Sequence, residues 1–147
     1  MNADIEALVR DGRVESVEAD PAAARLKLEE ARRHLASASL LVDTDPAGAY
    51  SLLYDAARKA IDAHMLSSGY RVSKSRLGAY EAMARYAVAA LGSGRRGEAA
   101  RRFDRMRRNR NRSEYGVWQV GRSTLGSDLG HAQAIVEAVE KSLGRSA

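Results

Sequence analysis

"DPAGAYSLLYDAARKAIDAHMLSSG", Asp45–Gly69, is the stretch on which the reading of the fold turns. Asp45 suits a helix N-cap, because its carboxylate accepts from the N–H groups that a first turn leaves open. Pro46 suits the first helical position, where its missing N–H would have had no partner. Tyr50, Leu53, Tyr54, Ala57, Ile61, His64 and Met65 then fall on one broad face at helical spacing. Gly69 ends the run as a residue free to turn left-handed. The spacing predicts one long amphipathic helix.

Working outward, Asp20 and Pro21 repeat the same opening device upstream. Ala24, Leu28, Ala31, Leu35, Ala38 and Val42 follow at spacings of three and four, which predicts a helix ending near Asp43. "DTDP" leaves so short a connection that these two helices should be antiparallel neighbours. Downstream, "YRVSKSRLG" reads as a loop. Leu77, Tyr80, Met83, Ala84, Ala87 and Leu91 predict a third helix, broken by "GSGRRG". A fourth begins at about Gly97, with Ala99, Phe103 and Met106 on its apolar side. "GVWQVGRST" is a longer break. Leu125, Leu129, Ala132, Val136, Val139 and Leu143 make the last helix, with Gly144 as its stop. No convincing strand appears. The expected architecture is an all-α, antiparallel up-and-down bundle of about five helices in a single domain, 1–147. Residues 1–20 form a polar, partly helical lead-in, in which Ile5, Leu8 and Val9 make one small apolar face.

Composition narrows the class. No apolar run approaches the roughly 18 residues that would suggest a membrane-spanning helix. "MNADIEALVRDG" is too acidic and too short of apolar length to read as a signal peptide. The chain has no cysteine, which excludes disulfides and thiolate metal sites and points to a cytoplasmic setting. Its net charge is +5, but nine arginines lie between Arg95 and Arg112 against Glu98 and Asp104 alone. That window carries +7 and the rest of the chain −2. Basicity gathered into one segment points to an anionic partner better than a high pI does.

On a helical projection of that segment, Phe103 and Met106 define the buried side, Arg110 falls between their directions, and Glu114 lies one turn further on. Arg107, Asn111 and Tyr115 form an adjacent stripe, and Arg101, Arg105, Arg108 and Arg112 lie mostly outward. An arginine on a core-facing stripe needs a partner. Glu114 is correctly spaced for an ion pair, whereas the planar guanidinium fork also suits a phosphate in a cleft. Both readings stand at this point.

Two stretches resemble the HEPN superfamily of small helical domains (higher eukaryotes and prokaryotes nucleotide-binding). "YSLLYDAARKAIDAHMLSSGYRV", Tyr50–Val72, is similar to their long second helix. "RNRSEYG", Arg110–Gly116, is similar to the motif late in their penultimate helix. The resemblance covers roughly Pro21 to Leu143. It implies a metal-independent ribonuclease without cofactor, a toxin or defence component acting as a homodimer on RNA. A nucleotidyltransferase-type antitoxin is the partner so implied. Carried over, Arg110 takes the motif arginine and stabilises the phosphorane, and Asn111 takes the polar position. Tyr115 stands where the family has histidine, and a second register starts instead at Arg108 and Asn109. Arg107, Arg108 and Arg112 would bind the RNA backbone, with Glu114 beside them. A phenol of pKa about 10 is a poor base at neutral pH, though it can donate a proton. The same fold without its histidine would serve as a non-catalytic module for nucleic acid, nucleotide or protein.

Elsewhere, His64 reads as a core histidine bonded to a neighbour, and Tyr50 and Tyr54 as core aromatics. His34 and His131 lie on different helices, and three scattered histidines make a weak zinc case. Trp118 either covers the core edge or stacks on a base. "GSGRRG" lacks the Gly-Lys-Ser/Thr and the preceding strand of a phosphate-binding P-loop.

Overall fold

Asn2 caps α1 (Ala3–Arg10), its side-chain oxygen accepting from the N–H groups of Asp4 and Ile5 at 3.0 and 3.2 Å. Ile5 and Leu8 bury themselves, and the Asn2 amide donates to the Ala89 carbonyl at 2.6 Å. The lead-in is thus a docked helix followed by β1 (Val14–Ser16). Asp20 and Pro21 open α2 (Pro21–Leu41), and Asp45 and Pro46 open α3 (Pro46–Ser68). Each aspartate accepts from the N–H three residues on, at 3.0 Å. Gly69 caps α3 at φ +85°, and β2 (Tyr70–Val72) follows at once. The chain continues as α4 (Ala79–Leu91), α5 (Gly94–Glu114) and α6 (Arg122–Ser146). These elements belong to a computed structural model that describes residues 2–74, 78–92, 94–116 and 119–146. Leu77 and Trp118 lie outside the described residues, and with them the expectations attached to each.

The helical bundle is as the periodicity predicts. Lys27 pairs with Asp62 at 2.7 Å, and Glu30 pairs with Lys59. Numbers rise on one helix as they fall on the other, so α2 and α3 are antiparallel. Tyr50, Leu53, Tyr54, Ala57, Ile61 and Met65 of α3 are buried. They meet Phe103 and Met106 of α5 and Leu125, Ile135 and Val139 of α6 in one core. The rings of Tyr54 and Phe103 stack 5.4 Å apart. His64 sits as expected, with Nδ1 2.8 Å from the Tyr86 hydroxyl, and burial lowers its pKa. No helix among the described residues is long and apolar enough to cross a membrane.

Several expectations need correction. Six helices are described, α1 being the helical part of the lead-in. A strand pair exists: β1 and β2 run antiparallel with Val14 opposite Val72, Glu15 opposite Arg71 and Ser16 opposite Tyr70. Arg71 pairs with Glu15 across the ladder at 2.7 Å, and Val14 is 1% exposed. Three residues are too few for an alternating pattern to show in a sequence. Tyr80, assigned to the apolar face of the third helix, is 54% exposed. Gly144 does not stop α6, which runs on to Ser146, since a glycine permits a helix end without requiring one. α5 begins at Gly94 rather than near Gly97. Gly97 is nevertheless required where it stands, because a Cβ there would lie 2.1 Å from the Gly92 carbonyl oxygen.

Candidate nucleic-acid interface

α5 carries the arginines, and its buried side is set by Ala99, Ala100, Phe103 and Met106. The helical pattern holds through Tyr115, whose N–H reaches the Asn111 carbonyl at 3.1 Å. Gly116, at φ +71°, then turns the chain away and donates to the Ser113 carbonyl. A non-glycine residue would be strained in that conformation.

Arg110 continues the buried stripe as the projection requires. Its guanidinium lies 5.6 Å from the Tyr54 ring centroid, and Nη2 is 3.3 Å from Glu114 Oε1. The expected ion pair is present, and Tyr54 supplies an aromatic floor beneath it. Arg107 donates from Nε to Asp104 Oδ1 at 3.1 Å and lies 5.5 Å over the Tyr80 ring. Arg108 reaches the other Asp104 oxygen at 3.5 Å. Asn111 is half-buried, whereas Arg112 and Glu114 are exposed. Tyr115 is 81% exposed, so the structure does not set its phenol against Arg110. One chain therefore brings Arg110 and Glu114 together and gathers Arg107 and Arg108 on Asp104. Tyr115 stands apart in solvent at the helix end.

Arg105 departs from its expected outward, solvated position. Its Nη2 is 3.4 Å from Oδ1 of Asp128, a carboxylate with 0% exposure. The Tyr50 hydroxyl donates to Oδ2 of the same group at 2.6 Å, and Asn109 Nδ2 donates to that hydroxyl at 3.2 Å. Burial, and then the bond to Asp128, push the Tyr50 pKa well up, so the phenol stays protonated and donating. This network lines a polar pocket of about 370 Å³ with Ser123, Thr124 and Ser127. Sequence reasoning missed it, although a signal existed. Asp128 lies three residues after Leu125 and four before Ala132, a carboxylate on the apolar stripe of α6. A second cleft of about 400 Å³ separates the end of α5 from the start of α3, lined by Ser113, Gly116, Pro46 and Ala47.

Burial pushes the Tyr54 phenol up to about 12, partly offset by the charges of Arg58, Arg110 and Arg107. Seven arginines between Arg101 and Arg112 face four carboxylates, Glu98, Asp104, Glu114 and Asp128. Most of these pairs are solvent-accessible, and such contacts hold a side chain only weakly. The helix keeps a surplus of positive charge. Among the described residues, no group of three or more histidine, aspartate or glutamate side chains is placed to hold a metal ion. The chain matches no protein-family model, no curated protein and no solved structure.

Proposed function

We propose that the C-terminal half of α5 is an RNA-binding face. The observation that carries this reading is the excess of arginine over carboxylate on one helix, ending in a tyrosine that is 81% exposed. Arg107, Arg108 and Arg112 would meet phosphates, and Tyr115 offers a ring on which an unpaired base can stack. The likeness of Arg110–Gly116 to the HEPN motif supports RNA as the polyanion and a homodimer as the working form, in a cytoplasmic setting. In one chain Glu114 engages Arg110, and the stretch Arg110–Gly116 contains no histidine, which favours binding over chemistry.

A second reading is metal-independent RNA cleavage, in a toxin or defence protein paired with a nucleotidyltransferase-type antitoxin. One observation favours it. Arg110 Nε is buried and has no hydrogen-bond partner among the described residues, so the guanidinium retains a donor for a phosphorane oxygen. Asn111 would orient the site, Glu114 would take the proton of the attacking 2′-hydroxyl, and Tyr115 would donate one to the leaving 5′-oxygen.

Incubation of the protein with total RNA in EDTA, beside Arg110→Ala and Tyr115→Phe, separates the two readings. Intact RNA with salt-sensitive binding supports the binding face. Cleavage that disappears in Arg110→Ala supports the nuclease. Failure of the protein to retain RNA or to cleave it at low ionic strength refutes both.

A further inference from the structure

Beneath the motif lies a constellation drawn from three helices. Tyr54 is 2% exposed, yet its hydroxyl has no hydrogen-bond partner among the described residues. The neighbouring Arg110 Nε is also buried and unpartnered. Two orphaned groups at one place, each able to donate a proton, are unusual in a folded interior, where buried polar groups nearly always find partners. Both want an acceptor. Burial raises the Tyr54 pKa, and the charges of Arg58 from its own helix α3 and of Arg110 and Arg107 from α5 oppose that rise, while Tyr80 comes from α4. Tyr80 lies under the Arg107 guanidinium, as Tyr54 lies under that of Arg110. Each ring thus lies against one guanidinium group.

We propose that Tyr54, Arg58 and Tyr80 complete, with Arg107 and Arg110, a pocket for a phosphoryl group. Its oxygens would accept from the Tyr54 hydroxyl and from the guanidinium groups, which suit a tetrahedral anion better than lysine because each fork donates in parallel. The three arginines are 31%, 27% and 30% exposed, so an anion reaches the buried hydroxyl by parting them. Each already faces an acid, namely Asp55 at 3.8 Å, Asp104 at 3.1 Å and Glu114 at 3.3 Å. These are half-exposed contacts within a single helix, and they contribute little that a bound phosphate would not replace. The pocket rests on the reading of α5 as an RNA-binding face and extends it to two helices outside the motif.

The test uses inorganic phosphate against chloride at matched ionic strength, read by thermal shift, together with short RNA bearing a 5′-phosphate or a 5′-hydroxyl. Phosphate should raise the melting temperature of the wild type beyond chloride, as any ligand of the folded state does. Tyr54→Phe and Arg58→Gln should keep the fold by circular dichroism and bind phosphate about tenfold or more weakly, the cost of one bond to a charged partner. A preference for 5′-phosphorylated RNA that Tyr54→Phe abolishes assigns the pocket to a terminal phosphate. Equal, Tyr54-dependent binding of both RNAs assigns it to the internal backbone. Wild-type phosphate binding in both variants, or no response beyond chloride, overturns the proposal. RNA retained without any phosphate response would sink the pocket alone. Phosphate bound without RNA would leave the pocket standing and remove the RNA-binding reading.

Discussion

Replacing Asp128 by alanine tests whether the buried network, rather than any surface pair, anchors α5 to α3 and α6. The carboxylate is wholly buried and holds two partners, the Tyr50 hydroxyl at 2.6 Å and Arg105 at 3.4 Å. Its loss takes the acceptor from a deeply buried phenol, a cost of about 1–3 kcal/mol. Arg105 adds less than the 3–5 kcal/mol usual for a broken buried pair, because its side chain is 41% exposed and can turn to water. The expected total is about 2–4 kcal/mol, or a fall in melting temperature of roughly 10 °C for a domain of this size. Arg122→Ala is the control. It breaks a pair at 3.3 Å whose side chains are 87% and 78% exposed, and should cost less than about 0.5 kcal/mol. Urea unfolding followed by circular dichroism gives both values. A Tyr50→Phe, Asp128→Asn double-mutant cycle gives the coupling between the two, expected near 1 kcal/mol. If Asp128→Ala unfolds within about 1 kcal/mol of the wild type, the network carries no such anchoring role and the reasoning fails.

Glycines give a contrast in sign. Gly97→Ala should destabilise by about 2 kcal/mol or more, since backbone rather than a flexible side chain blocks the new methyl. Gly130→Ala in α6, where a Cβ meets nothing within 4 Å, should stabilise by about 0.5–1 kcal/mol in the same urea assay. For pH, His64 has a folded pKa lowered by burial, so the unfolded chain binds more protons below the ordinary histidine value. Its contribution to stability should be complete above about pH 6.5 and decline as pH falls from there. Melting curves of His64→Gln should show a shallower decline over that range. On the RNA face, Arg108→Gln and Arg112→Gln should each reduce the slope of log K against log salt by about 0.7, the contribution of one single-strand phosphate. An unchanged slope in both would place the RNA elsewhere.

What could be read along the chain is what local chemistry enforces. An Asp-Pro pair supplies a cap and a preset φ wherever it occurs, so α2 and α3 open at Pro21 and Pro46 as read. Spacings of three and four place Leu53, Ile61, Phe103 and Met106 inside, and one turn of helix ties Arg110 to Glu114. None of this needs knowledge of the neighbouring helices. The rest depends on which faces meet. β1 and β2 pair across 56 residues of sequence separation, from Glu15 to Arg71. They are too short to show a period of two. Asp128 marks itself as misplaced on an apolar stripe, but only packing could supply Tyr50 and Arg105 as its partners, with Asn109 on the Tyr50 hydroxyl. The same holds for the rings under Arg107 and Arg110, and for Tyr80, whose spacing is that of a core residue although it stands half in solvent. Helical periodicity specifies a direction from one axis. Burial and partnership depend on the second axis that closes over it, and that is set by the tertiary fold.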